Sequence, residues 1–332
     1  KPEPVVMPGV FRWNNITRYD HEHEGYQVMQ RHGIRRMYHK LLDIGWNPAN
    51  GAHPLSFVRV PSEWRTWHGD PGRLSESVEF VPCIYITNET FLQLDDAATD
   101  TLADKLLRKL RKECPPTIHG VLLDCDWSAK TQARFFRLAA RMNAALDVPL
   151  TATIRLHQYA DPRRTGIPPV DRGMLMPYNV GQLTKPGADN SIFHRAAAEP
   201  YFRKAGSYPL PLDIALPAFS WGALFRKDVF QGILHETQLN EALALGLLKG
   251  HLQGTMQVVQ EDNRRMPELH LGDVVRVERM TPELIAEVVA LATRAVNSDT
   301  VAVAFFDLSA HTYRQLDSAF VRQTFERFGI LP

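Results

Sequence analysis

A chain of 332 residues is long enough for one large barrel or two ordinary domains, and 44% hydrophobic with 23% charged residues is the balance of a globular protein. A formal net charge of +1 gives no electrostatic reason to expect nucleic acid or an acidic membrane surface as partner, and no apolar run reaches the ~18–20 residues that would cross a bilayer. The three cysteines, Cys83, Cys114 and Cys125, form neither a disulfide framework nor a CxxC metal pair.

Along the chain, eight short apolar runs recur, several ending in polar or aromatic residues. They are predicted as strands at 10–15, 36–46, 78–87, 119–128, 149–158, 173–181, 211–222 and 301–310. Continuous apolar character marks strands buried on both faces, hence a parallel sheet. Helical patterns lie between most of them, at 20–32, 95–113, 129–146, 191–205, 281–296 and 317–328. The second opens acidic and closes basic, and the run at 281 opens Thr-Pro-Glu, a cap, a proline at the first helical position and an acid in the first turn. The sequence HEHE at 21–24 reads as the solvated start of a helix, because it lacks the HExxH spacing that sets two histidines on one face. Residues 47–77 read as an ordered loop over the barrel mouth, and 223–280 as a small α+β insertion with a helix near 236–250 and a pair of strands. The expectation is therefore an α/β fold, a single (β/α)8 TIM barrel over 1–332 with a small α+β insertion between strands seven and eight.

In such a barrel the chemistry sits at the C-terminal strand ends. Those ends supply Trp13 and Asn14, Asp43 and Trp46, Asp124 and Asp126, Arg155 and His157, Tyr178 and Asn179, Trp221, and Asp307. Side chains alternate along a strand, so Asp124 and Asp126 share a face, and Thr151, Thr153, Arg155 and His157 share a polar face opposite Ala152, Ile154 and Leu156. On strand two, either His39 or Lys40 could point inward. Three tryptophans at strand ends (Trp13, Trp46, Trp221) suit sugar stacking. The plainer alternatives are a structural Asp–Arg network inside the barrel and tryptophans that are simply core.

With the strands in place, the chain resembles the family 18, chitinase-like glycoside hydrolases. Asp124-Cys125-Asp126-Trp127-Ser128 is similar to the end of that family's DxxDxDxE signature, Met176-Pro177-Tyr178-Asn179 to its Met-x-Tyr-Asp/Asn, and the run ALPAFSWG at 215–222 to its seventh strand. The resemblance implies that Asp126 and Tyr178 orient a substrate N-acetyl group. It also sets Ser128 where the family has its acid glutamate and Val121 where it has the first aspartate. The order DCDW, TATIRLHQ, PPVDRGMLMPYNVG further resembles a group of bacterial secreted or lipid-anchored TIM-barrel proteins. That implies a periplasmic or extracellular location, as does a chain beginning at Lys1 rather than Met.

The leading expectation is a glycoside hydrolase acting on an oligosaccharide or polysaccharide, N-acetylated in the family's manner. Its carboxylates would be Asp126, Asp124, Asp43 and Asp307, with Asp126 as the proton donor and Asp43 or Asp307 as the second carboxylate. Trp13, Asn14, Trp46, Arg155, His157, Tyr178, Asn179 and Trp221 would bind the sugar. No cofactor is expected. One alternative is a glycan-binding pseudoenzyme that lost its acid at Ser128. The other is a metal-dependent hydrolase or deacetylase built on Asp124, Asp126 and His157.

Overall fold

The computed structural model describes residues 2–13, 24–60, 78–204, 206–250, 254–307 and 316–332. In chain order, β1 (Val5–Arg12) leads to α1 (Glu24–Arg31), the long β2 (Arg36–Asn47), β3 (Gly51–Phe57) and β4 (Glu79–Ile86). Helices α2 (Asn88–Gln93) and α3 (Asp96–Glu113) precede β5 (Val121–Asp124), and α4 (Gln132–Ala145) precedes β6 (Leu150–Arg155). Short helices α5 (Leu156–Ala160) and α6 (Pro162–Thr165) lead to β7 (Arg172–Met176), and α7 (Arg195–Ala198) to β8 (Leu212–Pro217). The remaining elements are β9 (Ser220–Arg226), β10 (Val229–His235), α8 (Glu236–Ala244), β11 (Leu248–Gly250), β12 (Thr255–Val258) and β13 (Val274–Arg279). Helix α9 (Pro282–Ala292), β14 (Thr300–Phe306) and α10 (Ser318–Glu326) close the chain.

Eight of these strands form a closed parallel ring in the order β1-β14-β8-β7-β6-β5-β4-β2, and β2 returns to β1. This is the expected (β/α)8 barrel. Every residue of β5 and of β8 is buried, as strands packed on both faces require. Inside the barrel near the N-terminal strand ends, Asp213 is 1% exposed. Its charge is satisfied by Arg172 at 2.7 and 3.0 Å and by the Ala302 N–H at 2.8 Å.

The chain divides into two compact units, residues 1–177 with 201–216 and 289–332, and residues 178–200 with 217–288. The second holds a five-stranded antiparallel sheet of order β10-β9-β13-β12-β11. Leu224, Leu234, Leu239, Leu247, Met256 and Val275 belong to its core.

Several elements depart from the sequence reading. Strand one begins at Val5, five residues early, because Pro8 and Gly9 look like a turn but sit inside the β1 ladders. The predicted loop after strand two instead folds back as β3, antiparallel to the part of β2 beyond β1; residues 61–77 of that stretch lie outside the described residues. The predicted strand 149–158 stops at Arg155, where the Gln158 side chain accepts the Arg155 N–H at 2.7 Å and starts α5. The predicted run 211–222 breaks between β8 and β9. The helix predicted to 250 ends at Ala244, with Gly246 at φ 70 turning the chain into β11.

Candidate active site at the barrel mouth

Register brings the central residues together. Asp43 on β2 pairs laterally with Tyr85 on β4, and Tyr85 with Asp124 on β5. Laterally paired residues of parallel strands point to one face. On β6, Thr153 donates its hydroxyl to Asp124 Oδ1 at 2.8 Å. Asp43, Tyr85, Asp124 and Thr153 thus form one inward layer near the C-terminal strand ends.

Burial is the largest influence on the Asp124 carboxyl and pushes it up to about 6. Arg155 and the Thr153 hydrogen bond pull the other way, while the charges of Asp126 and Asp43 add to the rise. The Tyr85 phenol is pushed up to about 12, first by burial and then by the charges of Asp124 and Asp126.

Asp126, two residues beyond Asp124, is held differently. The Arg155 guanidinium grips both of its oxygens, Nε on Oδ1 and Nη2 on Oδ2, the latter at 2.6 Å. Such a two-point pair fixes the orientation of the Asp126 side chain. Asp126 is 46% exposed and Arg155 23%, so the pair faces the open mouth. Asp43 is anchored by Lys40 at 2.6 Å and by the Ser56 hydroxyl of β3 at 2.5 Å, both on Oδ2 in the case of its acceptor atom. Its Oδ1 is buried without a hydrogen-bond partner, an acceptor that a bound hydroxyl could fill. Lys40, and not His39, is the inward residue of strand two, because the register of β2 against β4 shifts between Lys40 and Leu42 and so sets Lys40 and Asp43 on one face. Its ammonium lies 5.8 Å from the Trp13 ring centre, and Trp13 packs against Phe306 at 5.6 Å.

The other predicted residues are placed elsewhere or serve other ends. His39 is fully buried on the opposite face of β2, where burial and then the charge of Arg12 hold its imidazole down at about 3. The charge of Asp307 acts on Arg12, which pairs across β1 and β2 with His39. His157 is not on strand five at all: it is an exposed residue of α5. Trp46 takes the outer face of β2, where it lines a groove with Gln93, Asp95 and Lys105. Ser128 sits in the turn that opens α4, its N–H donating to Thr131 Oγ1 at 2.8 Å, while Thr131 Oγ1 donates to Asn88 Oδ1 at 2.5 Å. Trp127 is core, stacked on Phe135 at 5.1 Å with its indole N–H on the Thr165 carbonyl. Asn14 lies outside the described residues. Among the described residues no group of three or more His, Cys, Asp and Glu side chains is arranged to hold a metal ion, so Asp124, Asp126 and His157 are not assembled as a ligand set.

Tyr178, Asn179 and Trp221 belong to the second compact unit. Tyr178 meets Phe219 edge-on at 5.8 Å, and Phe219 meets Trp221 at 5.2 Å. Asn179 is left-handed at φ 58, its N–H bonded to the Ile192 carbonyl. The Trp221 indole donates to Glu278 Oε2 at 2.9 Å, and Glu278 also accepts the N–H and hydroxyl of Ser191 and the guanidinium of Arg276. Sequence reasoning missed Glu278, although the alternation Val275-Arg276-Val277-Glu278 sets both charges on one strand face. It also missed Tyr85, which only the register between β4 and its neighbours reveals.

No family model matches the chain, and no curated protein matches it either. Solved structures do. One is the C-terminal domain of a putative chitinase from Desulfitobacterium hafniense, with TM-score 0.57 and 10% identity, covering 98% of this chain and 100% of that one. A chitinase from Chromobacterium violaceum gives 0.54 and 12%, covering 96% and 99%. The spore cortex-lytic enzyme SleL of Bacillus cereus gives 0.53 and 10%, covering 99% and 76%. At such identities the likeness is one of fold, and the chain is a TIM barrel like those of the chitinases and the cortex-lytic enzyme it superposes on.

Proposed function

We propose that the protein is a glycoside hydrolase acting on an N-acetylated glycan, with Asp124 as its proton donor. The observation that carries this reading is the environment of Asp124. Its carboxyl is raised to about 6 inside the mouth, while Asp126 beside it is held at two points by Arg155. A buried carboxyl raised in this way suits a proton donor, and the neighbouring side chain gripped by Arg155 suits a positioning role. The roles are the reverse of those expected from the sequence, where Asp126 was the donor.

Thr153 occupies Asp124 Oδ1, so Oδ2 is the oxygen that gives its proton to the departing glycosidic oxygen. Asp43, steadied by Lys40 and Ser56, is the second carboxylate of the layer. The Asp126–Arg155 pair orients the acetamido group, and Trp13 offers a ring face to a pyranose. The chitinase and cortex-lytic folds support the substrate class. Tyr178, Asn179 and Trp221 remain proposed sugar contacts, as does an exported location.

The glycan-binding pseudoenzyme is favoured by one observation: Ser128, at the family's glutamate position, is tied into the α4 turn through Thr131. Incubation with chitin, peptidoglycan and chitohexaose separates the two. New reducing ends establish hydrolysis; saturable retention without new ends establishes the binding protein; neither, on any of the three, removes the carbohydrate reading.

A further inference from the structure

The described tryptophans differ in how they are satisfied. Trp127 is stacked and hydrogen-bonded, Trp221 is hydrogen-bonded to Glu278, and Trp13 packs against Phe306 and Phe11. Trp46 is half-buried, and among the described residues no ring packs against it and no acceptor takes its N–H. Leaving a large aromatic face partly in water on a barrel flank costs burial that a core tryptophan would gain.

Trp46 lines a groove of about 430 Å³ between the β2–β3 hairpin and α3. The hairpin contributes Asn50, and the helix side contributes Gln93, Asp95, Thr101 and Lys105. Some of their polar capacity is already used. The Gln93 amide donates to Glu89, Asp95 Oδ1 caps Ala98, and the Thr101 hydroxyl donates to the Ala97 carbonyl. What is left includes the Gln93 carbonyl, Asp95 Oδ2, the Asn50 amide and the Lys105 ammonium, a mixture of donors and acceptors around one aromatic face. This groove is on the outer face of β2, on the opposite side of that strand from Asp43.

We propose that the Trp46 groove is a second glycan-binding site on the barrel flank, separate from the mouth. A pyranose ring stacks on the indole, and its hydroxyls meet the polar ring of Asn50, Gln93, Asp95 and Lys105. An aromatic face edged by paired donors and acceptors matches the apolar face and equatorial hydroxyls of a sugar better than it matches a lipid or a peptide. The site holds the protein on a polymer while a different segment enters the mouth. The inference rests on the carbohydrate reading of the protein.

The test is retention on insoluble chitin and on peptidoglycan, with the mouth disabled in the full chain by Asp124→Asn with Arg155→Ala. That variant is expected to stay bound. Adding Trp46→Ala is expected to weaken retention at least tenfold, and adding Trp46→Tyr, which keeps a ring, to restore it to within about threefold. Retention by Trp46→Ala within twofold of its parent overturns the second site and leaves the hydrolase reading standing. Loss with both Trp46→Ala and Trp46→Tyr, with thermal melting unchanged, also overturns it, since a stacking platform tolerates tyrosine. Failure of every variant and of the unmodified protein to bind either polymer overturns this proposal and the carbohydrate reading together.

Discussion

Asp124 carries the sharpest consequence at the scale of single residues. Its carboxyl ordinarily releases its proton at 3.8, and in the folded protein at about 6. Between these values the native state binds more protons than the unfolded chain, so stability falls as pH rises through that window. The full penalty, roughly 3 kcal/mol, is present above about pH 6 and absent below 3.8. Urea denaturation at pH 4.5 and pH 7 is expected to show about two thirds of this loss, and Asp124→Asn is expected to flatten it. An equal slope in both proteins would contradict the burial argument. The neighbouring Arg155 acts by geometry rather than by charge alone. Arg155→Lys keeps the charge and loses the two-point grip on Asp126. Glycan affinity, read by calorimetry, is expected to fall about tenfold; a change under twofold would place Asp126 outside the binding geometry.

At the scale of elements, the turn between β5 and α4 explains why the run Asp124–Ser128 reads as it does. Asp124 faces in, Trp127 locks the turn to Phe135 and Thr165, and Thr131 is fully buried beneath it. Trp127→Ala leaves a cavity and an unsatisfied carbonyl, with an expected cost of about 3–5 kcal/mol in denaturant unfolding; a loss under 1 kcal/mol would mean the turn is not held by packing. Gly173 on β7 makes a similar point between strands. A Cβ there would meet Leu212 at 2.8 Å and Ile154 at 2.9 Å, so Gly173→Ala is expected to destabilise by ~1–3 kcal/mol in the same assay. Much of this level was legible in the sequence. The dipolar pattern of 95–113 and the cap at Thr281 gave α3 and α9 with small boundary errors. What failed was parity carried past a strand end. Thr153 and Arg155 face the mouth as expected, but Gln158 turns the chain into α5 and takes His157 off the strand. Which of His39 and Lys40 points inward was not legible either, because a register shift between Lys40 and Leu42 sets it.

For the whole molecule, the barrel could be read because parallel strands are buried on both faces, and that leaves uninterrupted apolar runs such as Val121–Leu123 and Ile214–Leu216. The second compact unit was only partly legible. Its antiparallel strands are short and polar on one face, as in the exposed and buried alternation of β12, so a five-stranded sheet read as two strands. The site lay between these cases. Its carboxylates stood at strand ends as the fold demands. The division of labour proposed for them rests on lateral register, on Thr153 and on the Arg155 grip, none of which sequence spacing encodes. The central claim is that Asp124 delivers the proton that breaks a glycosidic bond, and turnover of chitohexaose as a function of pH tests it most directly. The unmodified protein should lose kcat as pH rises through about 6, and Asp124→Asn should lower kcat at least ~100-fold while still binding the oligosaccharide. Turnover by Asp124→Asn within twofold of the unmodified protein, with the same pH profile, would contradict the account.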